Sequence, residues 1–388
     1  MRIGVTGAFG FLGASFIAAL LRDSSRLNSP GNDVEIVAFA SRTRSNPLFD
    51  PSVVGVESLD VLDSGDMARK FAGLDALAHF AGRVDYSVRA KRAVWDANVL
   101  GTKRVLDAAI EAGLGRVLYV SSICVLGTET QGEPGLLNES DSPYADNGSL
   151  NSFASPTEAL DAVDRSSRGD YSFLREVRIA YFDSKLAAWE LAKTYARERG
   201  QDIVTVFPGT AVGPGDLHYA ISRLVDGVWD GSLGSSLEGA TSFVDSRDFA
   251  RGAVLAMGRG RGGESYVISG RDEDNLSYGE FMSLVARVAR DNGGRPRARK
   301  PRARAPRAVP GGLALAAAAV AELVVPGAGL SRALVLSGTV RNVCSSSKAR
   351  AELGYEPGPD LESAILECRR FSEALRDAAA RGDEGPRP

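Results

Sequence analysis

Over the first 210 residues, short apolar runs alternate with longer stretches of helical periodicity. Runs at residues 3–5, 36–39, 76–80, 116–120 and 203–207 read as strands, each three to five residues long and closed by Gly, Ala, Ser or Pro. A strand covered on both faces is apolar at every position rather than at alternate ones. Between these runs, residues 12–21, 94–112 and 180–199 bring apolar side chains back every three or four positions, the repeat of a helix with one buried stripe. Repeated strand–helix–strand units predict an α/β fold, a doubly wound parallel sheet of the Rossmann kind with helices on both faces. After Pro208 the pattern loosens into glycine-rich connections and shorter elements. A first domain is therefore expected over residues 1–206 and a second, smaller one over 207–375, with the stretch around 240–256 packing back on the first and a flexible tail at 376–388.

Three stretches depart from this rhythm. Residues 128–176 form a long insertion rich in Ser, Asn, Asp, Gly and Pro, with one helix start at Ser155-Pro156-Thr157-Glu158, where Ser caps, Pro takes the first helical position and Glu completes a capping box. Residues 295–307 hold seven basic side chains and no acid; they read as a solvated proline-rich connector, or as a contact for an anionic surface or ligand. The most apolar stretch, residues 313–325, contains Glu322 and is shorter than the ~20 residues needed to cross a bilayer. A buried or pocket-lining helix is expected there, and no membrane span.

Composition narrows the function classes. Lys plus Arg (46) nearly balance Asp plus Glu (49), a net charge of −3, which gives no overall reason for a nucleic-acid partner and favours a small-molecule substrate. Cys124, Cys344 and Cys368 are too scattered for a disulfide framework or a metal site. With an opening that lacks the features of a signal peptide, they point to a cytoplasmic protein with reduced thiols. His79 and His218 are the only histidines, which leaves no material for a histidine-based triad or metal centre.

The candidate chemistry begins where the first strand runs into Thr6-Gly7-Ala8-Phe9-Gly10-Phe11-Leu12-Gly13 and then a helix. Gly7 permits the turn, Gly10 lets the backbone approach a pyrophosphate, and Gly13 lets helix and strand pack closely, with the free amides and dipole of the helix holding phosphates. Where an acidic residue would bind the ribose hydroxyls, the second strand ends instead in Ala40-Ser41-Arg42. A guanidinium there suits a 2′-phosphate, so NADP(H) is the expected cofactor and NAD(H) the alternative. Asp60-Val61, after the third strand, is placed to meet the adenine. Tyr181 and Lys185 sit one helical turn apart on one face. An ammonium and the positive charge of an oxidised nicotinamide would both stabilise a tyrosinate and make Tyr181 a usable proton donor. Cys124, two residues beyond Ser122, reads as a packed thiol.

Taken together, these residues resemble the extended short-chain dehydrogenase/reductase family. The resemblance is carried by Thr6 to Gly13, Asp60-Val61, His79-Phe80-Ala81-Gly82, Asn98 to Thr102, Val120 to Gly127, Tyr181 to Lys185, Pro208 to Pro214, Phe243 to Asp248 and Lys348 to Tyr355. It implies that Ser122 binds the substrate carbonyl, Tyr181 is the acid/base, and Lys185 holds the nicotinamide ribose. It also implies that Asn98 belongs to the catalytic group, that Ala81, Gly82, Pro208 and Thr210 line the cofactor channel, and that the chain forms a homodimer through the helices near Trp95 and Trp189. Phe207-Pro208-Gly209-Thr210 lacks the Arg-Pro-x-Asn of sugar-nucleotide enzymes, and Ile123-Cys124 stand where dehydratases carry Asp-Glu. The chain is thus most similar to the dihydroflavonol-reductase and 3β-hydroxysteroid-dehydrogenase branch. The expected activity is NADPH-dependent reduction of a ketone or related electrophilic carbon of a mostly apolar small molecule. A sugar-nucleotide epimerase with tightly held NAD, and a silent dinucleotide-binding regulator, are the alternatives.

Overall fold

The computed structural model describes residues 1–23, 34–41, 45–63, 65–128, 135–141, 144, 150–217, 221–293, 307–324, 331–358 and 361–381. Its strands are β1 (Arg2–Thr6), β2 (Glu35–Ala40), β3 (Gly55–Ser58), β4 (Ala76–His79), β5 (Arg116–Val120), β6 (Ile203–Pro208), β7 (Thr210–Val212), β8 (Ser235–Ser236), β9 (Ala240–Asp245), β10 (Ser265–Ile268), β11 (Asn275–Ser277), β12 (Arg307–Ala308) and β13 (Arg341–Asn342). The helices are α1 (Phe11–Arg22), α2 (Met67–Phe71), α3 (Lys91–Trp95), α4 (Gly101–Glu111), α5 (Pro156–Ser167), α6 (Ala180–Arg199), α7 (Ser222–Trp229), α8 (Ser246–Arg259), α9 (Tyr278–Asp291), α10 (Gly311–Val324), α11 (Arg332–Ser337), α12 (Ser347–Leu353) and α13 (Leu361–Arg381).

Seven parallel strands make the main sheet in the order β10-β6-β5-β4-β1-β2-β3. The chain reverses its direction of travel across the sheet after β3, so β1 and β4 are neighbours, in register at Val5 and Ala78; ligands of such sheets bind outside the strand ends at that reversal. One face is covered by α1, α8 and α12, whose Phe16, Phe249 and Leu353 share a cluster with Val5 and Ala78. The other face is covered by α2, α3, α4 and α6 around Leu77, Val117 and Trp95. A second sheet of β7, β9, β11 and β13 packs with α7, α9 and α13 around Phe243 and Phe281.

The division of the chain at residue 206 is too simple. β10 follows the start of the second domain in sequence, yet pairs with β6 and completes the main sheet. Within the stretch around 240–256, β9 belongs to the small sheet while α8 packs on the main one. The tail also begins later than expected, since α13 runs unbroken through residue 381. Most of the basic run, residues 295–306, and His218 lie outside the described residues. Helix α10 forms as expected but is not buried: Leu313 is 67% and Val320 60% exposed, because only one side of it rests on α11.

The described residues of the insertion are pinned to the protein. Ser155 caps α5 by accepting from the Glu158 amide at 3.2 Å, but Glu158 returns its bond to the Ala154 amide, one residue before the cap, so the capping box is displaced. Phe153 and Phe173 meet the Trp95 indole edge-on, with centroids 6.0 and 4.7 Å away. Leu137 exchanges backbone bonds with Val343 and Ser345, and Glu139 accepts the Val267 amide of β10 at 2.6 Å. Neither tryptophan side chain is free to meet a second subunit. Trp95 is fully buried beneath the insertion, and Trp189 points inward, its indole N–H donating to Ser265 and its ring edge-on to Phe207.

Candidate active site

The glycine turn leaves β1 under strict steric limits. Gly7 has φ +68°, and a Cβ there would lie 2.6 Å from the Ala81 nitrogen; a Cβ on Gly13 would collide with the Gly7 carbonyl. Gly10 caps α1 without any side-chain hydrogen bond, which leaves the first-turn amides of Phe11, Leu12 and Gly13 without partners inside the helix. Phe9 turns inward and stacks on Phe49, while its carbonyl accepts from Asn46 at 3.1 Å. Asn46, which also bonds the Gly215 carbonyl, carries no sequence signal for this role.

His79 underpins the same turn. It is fully buried at the end of β4 between the hydroxyls of Thr6 (2.7 Å) and Thr102 (3.0 Å). Burial, with the nearby charge of Lys185, lowers its pKa to about 3, so the imidazole is neutral. Ser41 is exposed at the end of β2, and Arg42 lies outside the described residues. Asp60 closes a turn on the Leu62 amide at 2.9 Å, and Val61 packs against Gly101.

Asn98 sits on a single π-helical turn, residues 96–100, between α3 and α4. The wider turn shifts the helical register and directs the amide inward, a departure common at functional sites. Its Oδ1 accepts from the Arg83 amide (2.7 Å), and its Nδ2 donates to the Arg83 carbonyl (3.0 Å) and the Ser184 hydroxyl (2.9 Å). One side chain thereby holds the loop after β4 against the first turn of α6. At Gly82 a Cβ would stand 2.9 Å from the Asn98 oxygen and 3.5 Å from the Lys185 nitrogen, so this loop passes directly over both. The bare helix terminus and the glycine cradle fit a dinucleotide running from α1 to Lys185. Pro208 ends β6 opposite Ile268, and the Thr210 hydroxyl shares a hydrogen bond with that of Thr241 of the small sheet at 2.9 Å.

Ser122, Tyr181 and Lys185 converge beyond Asn98. Ser122 leaves β5 in extended geometry and its oxygen accepts the Cys124 amide at 3.3 Å. Burial pushes the Tyr181 phenol well above its usual range, while the Ser122 hydroxyl, within hydrogen-bonding reach, works the other way. Lys185 donates to the Val120 carbonyl at 3.0 Å, and burial lowers its pKa to about 8. The Lys185 ammonium faces a strand carbonyl, and desolvation governs the Tyr181 phenol. Cys124 is a buried thiol pushed up to about 12 by burial.

Two features carry no motif. Tyr86 lies across the site with its ring 5.9 Å from that of Tyr181, and burial raises its phenol in company with Cys124 and Tyr278. Tyr181, Cys124 and Tyr278 thus lie close enough to Tyr86 to act on it electrostatically. Asp183, between Tyr181 and Lys185, is fully buried and accepts from the Ser152 amide and hydroxyl, both at 2.7 Å. It joins the insertion to α6.

Known proteins resemble this chain over most of its length. Residues 3–155 and 153–269 match the NAD dependent epimerase/dehydratase family. A Synechocystis protein described as a candidate dihydroflavonol 4-reductase is 27% identical over 94% of this chain and 92% of its own length. Sterol demethylase protein B of Methylococcus capsulatus is 26% identical over 76% of this chain and 75% of its own. Among solved structures, a dTDP-glucose 4,6-dehydratase from Streptomyces venezuelae with NAD bound superposes with a TM-score of 0.66 at 22% identity, covering 97% of this chain and 98% of that one; that likeness concerns the fold.

Proposed function

This chain belongs to the NAD dependent epimerase/dehydratase family, and from that membership we propose that it is an NADPH-dependent reductase acting on a ketone or related electrophilic carbon of a mostly apolar small molecule. The observation that supports the proposal is the Tyr181 phenol, held protonated by desolvation within reach of Ser122, with the ring of Tyr86 packed against it at 5.9 Å. A dehydratase would need the acid pair that Ile123 and Cys124 replace.

Bound along the glycine turn, the nicotinamide nucleotide supplies the hydride. Residues Phe11 to Gly13 would hold its pyrophosphate through their amides, Gly82 and Asn98 its path, and Lys185 its ribose; Arg42 would meet a 2′-phosphate. The Ser122 hydroxyl donates to the substrate carbonyl and polarises it, an electrostatic contribution that grows as charge develops on the oxygen. Tyr181 then gives its phenolic proton to that oxygen. Its high intrinsic pKa keeps the proton in place until Lys185, turned from the Val120 carbonyl toward the ribose, stabilises the tyrosinate left behind. Tyr86 keeps water from the reacting carbon.

Two measurements test the reading. Purified protein should oxidise NADPH in the presence of hydrophobic ketones and not in the presence of nucleotide sugars. It should also emerge from gel filtration without nucleotide; tightly retained NAD and nucleotide-sugar turnover would instead establish the epimerase.

A further inference from the structure

The end of β4 carries a chain of hydrogen bonds whose direction can be worked out atom by atom. The Thr102 hydroxyl donates to the Asn98 carbonyl at 2.6 Å, and a hydroxyl has one proton to give. Thr102 can therefore only accept from His79 Nε2, 3.0 Å away, so that nitrogen carries the ring proton. Burial and the charge of Lys185 both oppose a second proton, which leaves Nδ1 bare. Nδ1 accepts from the Thr6 hydroxyl at 2.7 Å, and the Thr6 oxygen accepts from the Ala81 amide at 3.4 Å. Donation thus runs one way, from Ala81 through Thr6, His79 and Thr102 to Asn98.

Both ends of this chain lie on the nucleotide path. Thr6 precedes Gly7 of the glycine turn, and Ala81 precedes Gly82, whose backbone passes over Asn98 and Lys185. Thr102 and Asn98 frame the π-helical turn, in which the Gly101 amide bonds the Asp96 carbonyl five residues back. Such a turn is rare, and a regular α-helical register competes with it for the same residues. A hydroxyl that bonds a carbonyl four residues earlier loosens the regular helix, and His79, by occupying the Thr102 oxygen, keeps that hydroxyl turned onto Asn98. With its carbonyl so held, Asn98 directs its amide to Arg83 and Ser184. His79 is 0% exposed, which leaves its nitrogens no partner but the two threonines.

We propose that His79 is a positioning residue for the nucleotide: its ring, with the proton on Nε2, sets the glycine turn, the loop at Gly82 and the π turn at Asn98 in one mutual arrangement. This inference rests on the reading that a nicotinamide nucleotide runs from α1 to Lys185, and it adds to that reading a residue that touches neither nucleotide nor substrate.

Two measurements test it. Imidazole nitrogen–proton correlation spectra of the full chain, labelled at histidine, read the tautomer without nucleotide or turnover. The chain has two histidines, and the spectrum of His79→Gln identifies the signal. A proton on Nε2 with a bare Nδ1 is expected; a proton on Nδ1, or on both nitrogens, at neutral pH would overturn the proposal. The second measurement is affinity for NADPH and for NADH by fluorescence titration, with thermal melting alongside. The Gln side chain places an amide nitrogen near the position of Nε2 and keeps the bond to Thr102, whereas the shorter Asn places an oxygen near that of Nδ1 and keeps only the bond from Thr6. His79→Gln should therefore bind nucleotide within about threefold of wild type, while His79→Asn and Thr102→Val should each lose about tenfold. Combining His79→Asn with Thr102→Val should cost no more than either, since both break the same link. Equal affinities of the Gln and Asn variants would overturn the proposal. So would melting points that fall while affinity holds, the mark of a purely structural histidine. Tighter binding of NADH than of NADPH, with the order of Gln and Asn preserved, would support the positioning role and correct the proposed cofactor. Wild-type protein that binds neither nucleotide would refute the functional reading, and the positioning role with it.

Discussion

Replacing Asp183 with Asn should make the protein more stable in mild alkali and no better in acid. The Asp183 carboxyl is fully buried, two residues along α6 from Tyr181. Burial raises its pKa from 3.8 to about 7, against the opposing pull of two bonds from Ser152 and the charges of Lys91 and Arg178. Its pKa is raised by folding, so the native state binds the proton more tightly than the unfolded chain does. The associated stability is complete below pH 3.8 and is lost as pH rises to about 7. The gap between those two values corresponds to about 4 kcal/mol, a large part of the ~5–15 kcal/mol of a typical domain. The Asn amide is never charged; its oxygen can still accept the Ser152 amide, and its nitrogen can donate to the Ser152 oxygen in place of the bond lost. Urea denaturation of both proteins at closely spaced pH values between acid and mild alkali is the assay. Wild type should lose stability relative to Asp183→Asn across that range, most steeply below pH 7. Parallel curves, or a variant weakened equally at every pH, would refute the reasoning and show that the carboxylate's two hydrogen bonds outweigh its burial.

Four further outcomes are expected. Tyr181→Phe should retain NADPH binding and lose about 10²- to 10⁴-fold in turnover, read by single-turnover hydride transfer, whereas Lys185→Met should impair both. Arg42→Ala should weaken NADPH by about 1.5–3 kcal/mol and NADH hardly at all; equal losses in a fluorescence titration would remove Arg42 from the cofactor site. Gly82→Ala should lower nucleotide affinity, because the added methyl meets Asn98 and Lys185; unchanged affinity by calorimetry would place the nucleotide elsewhere. Tyr86→Ser should raise KM for an apolar ketone more than it lowers kcat, and a pure kcat effect would show that the ring does not bind substrate.

The parts of this protein that can be read from its sequence are those in which local pattern and tertiary role coincide. β1, β2, β4, β5 and β6 are largely apolar because they are buried on both faces, whereas the exposed edge strand β3, with Glu57 and Ser58, gives no such signal, and α6 spans the residues its periodicity marks. Gly7 and Gly13 are legible because no other residue fits where they stand. Local pattern does not place β10 in the main sheet, since nothing in Ser265–Ile268 distinguishes a seventh strand from a strand of the small domain. Apolar composition gives α10 a helix but cannot say that one side lacks cover. Trp95 and Trp189 hide their packing for a related reason: an indole looks the same whether it faces a second subunit, the insertion or the sheet. The π turn at Asn98 escapes a periodicity reading because it alters the register it would be measured by. Tyr86 and Asp183 act through residues distant in sequence, with Tyr278 and Ser152, and no spacing rule connects them.

The bond from the Val267 amide to Glu139 has a meaning for the fate of the protein in solution. β10 is the outermost strand of a parallel sheet, and an outermost strand offers its free N–H groups to any passing chain in extended form. Glu139 occupies one of those groups with a carboxylate that burial has already raised above its ordinary range, and an incoming strand would have to displace it and strand a charge. The insertion thus acts as a selvedge, the finished border that stops a woven cloth from unravelling or being stitched to its neighbour. Trimming residues 135–141 would open that border, and the first symptom would be turbidity on concentration, well before any loss of the glycine turn or of the packing around Tyr181.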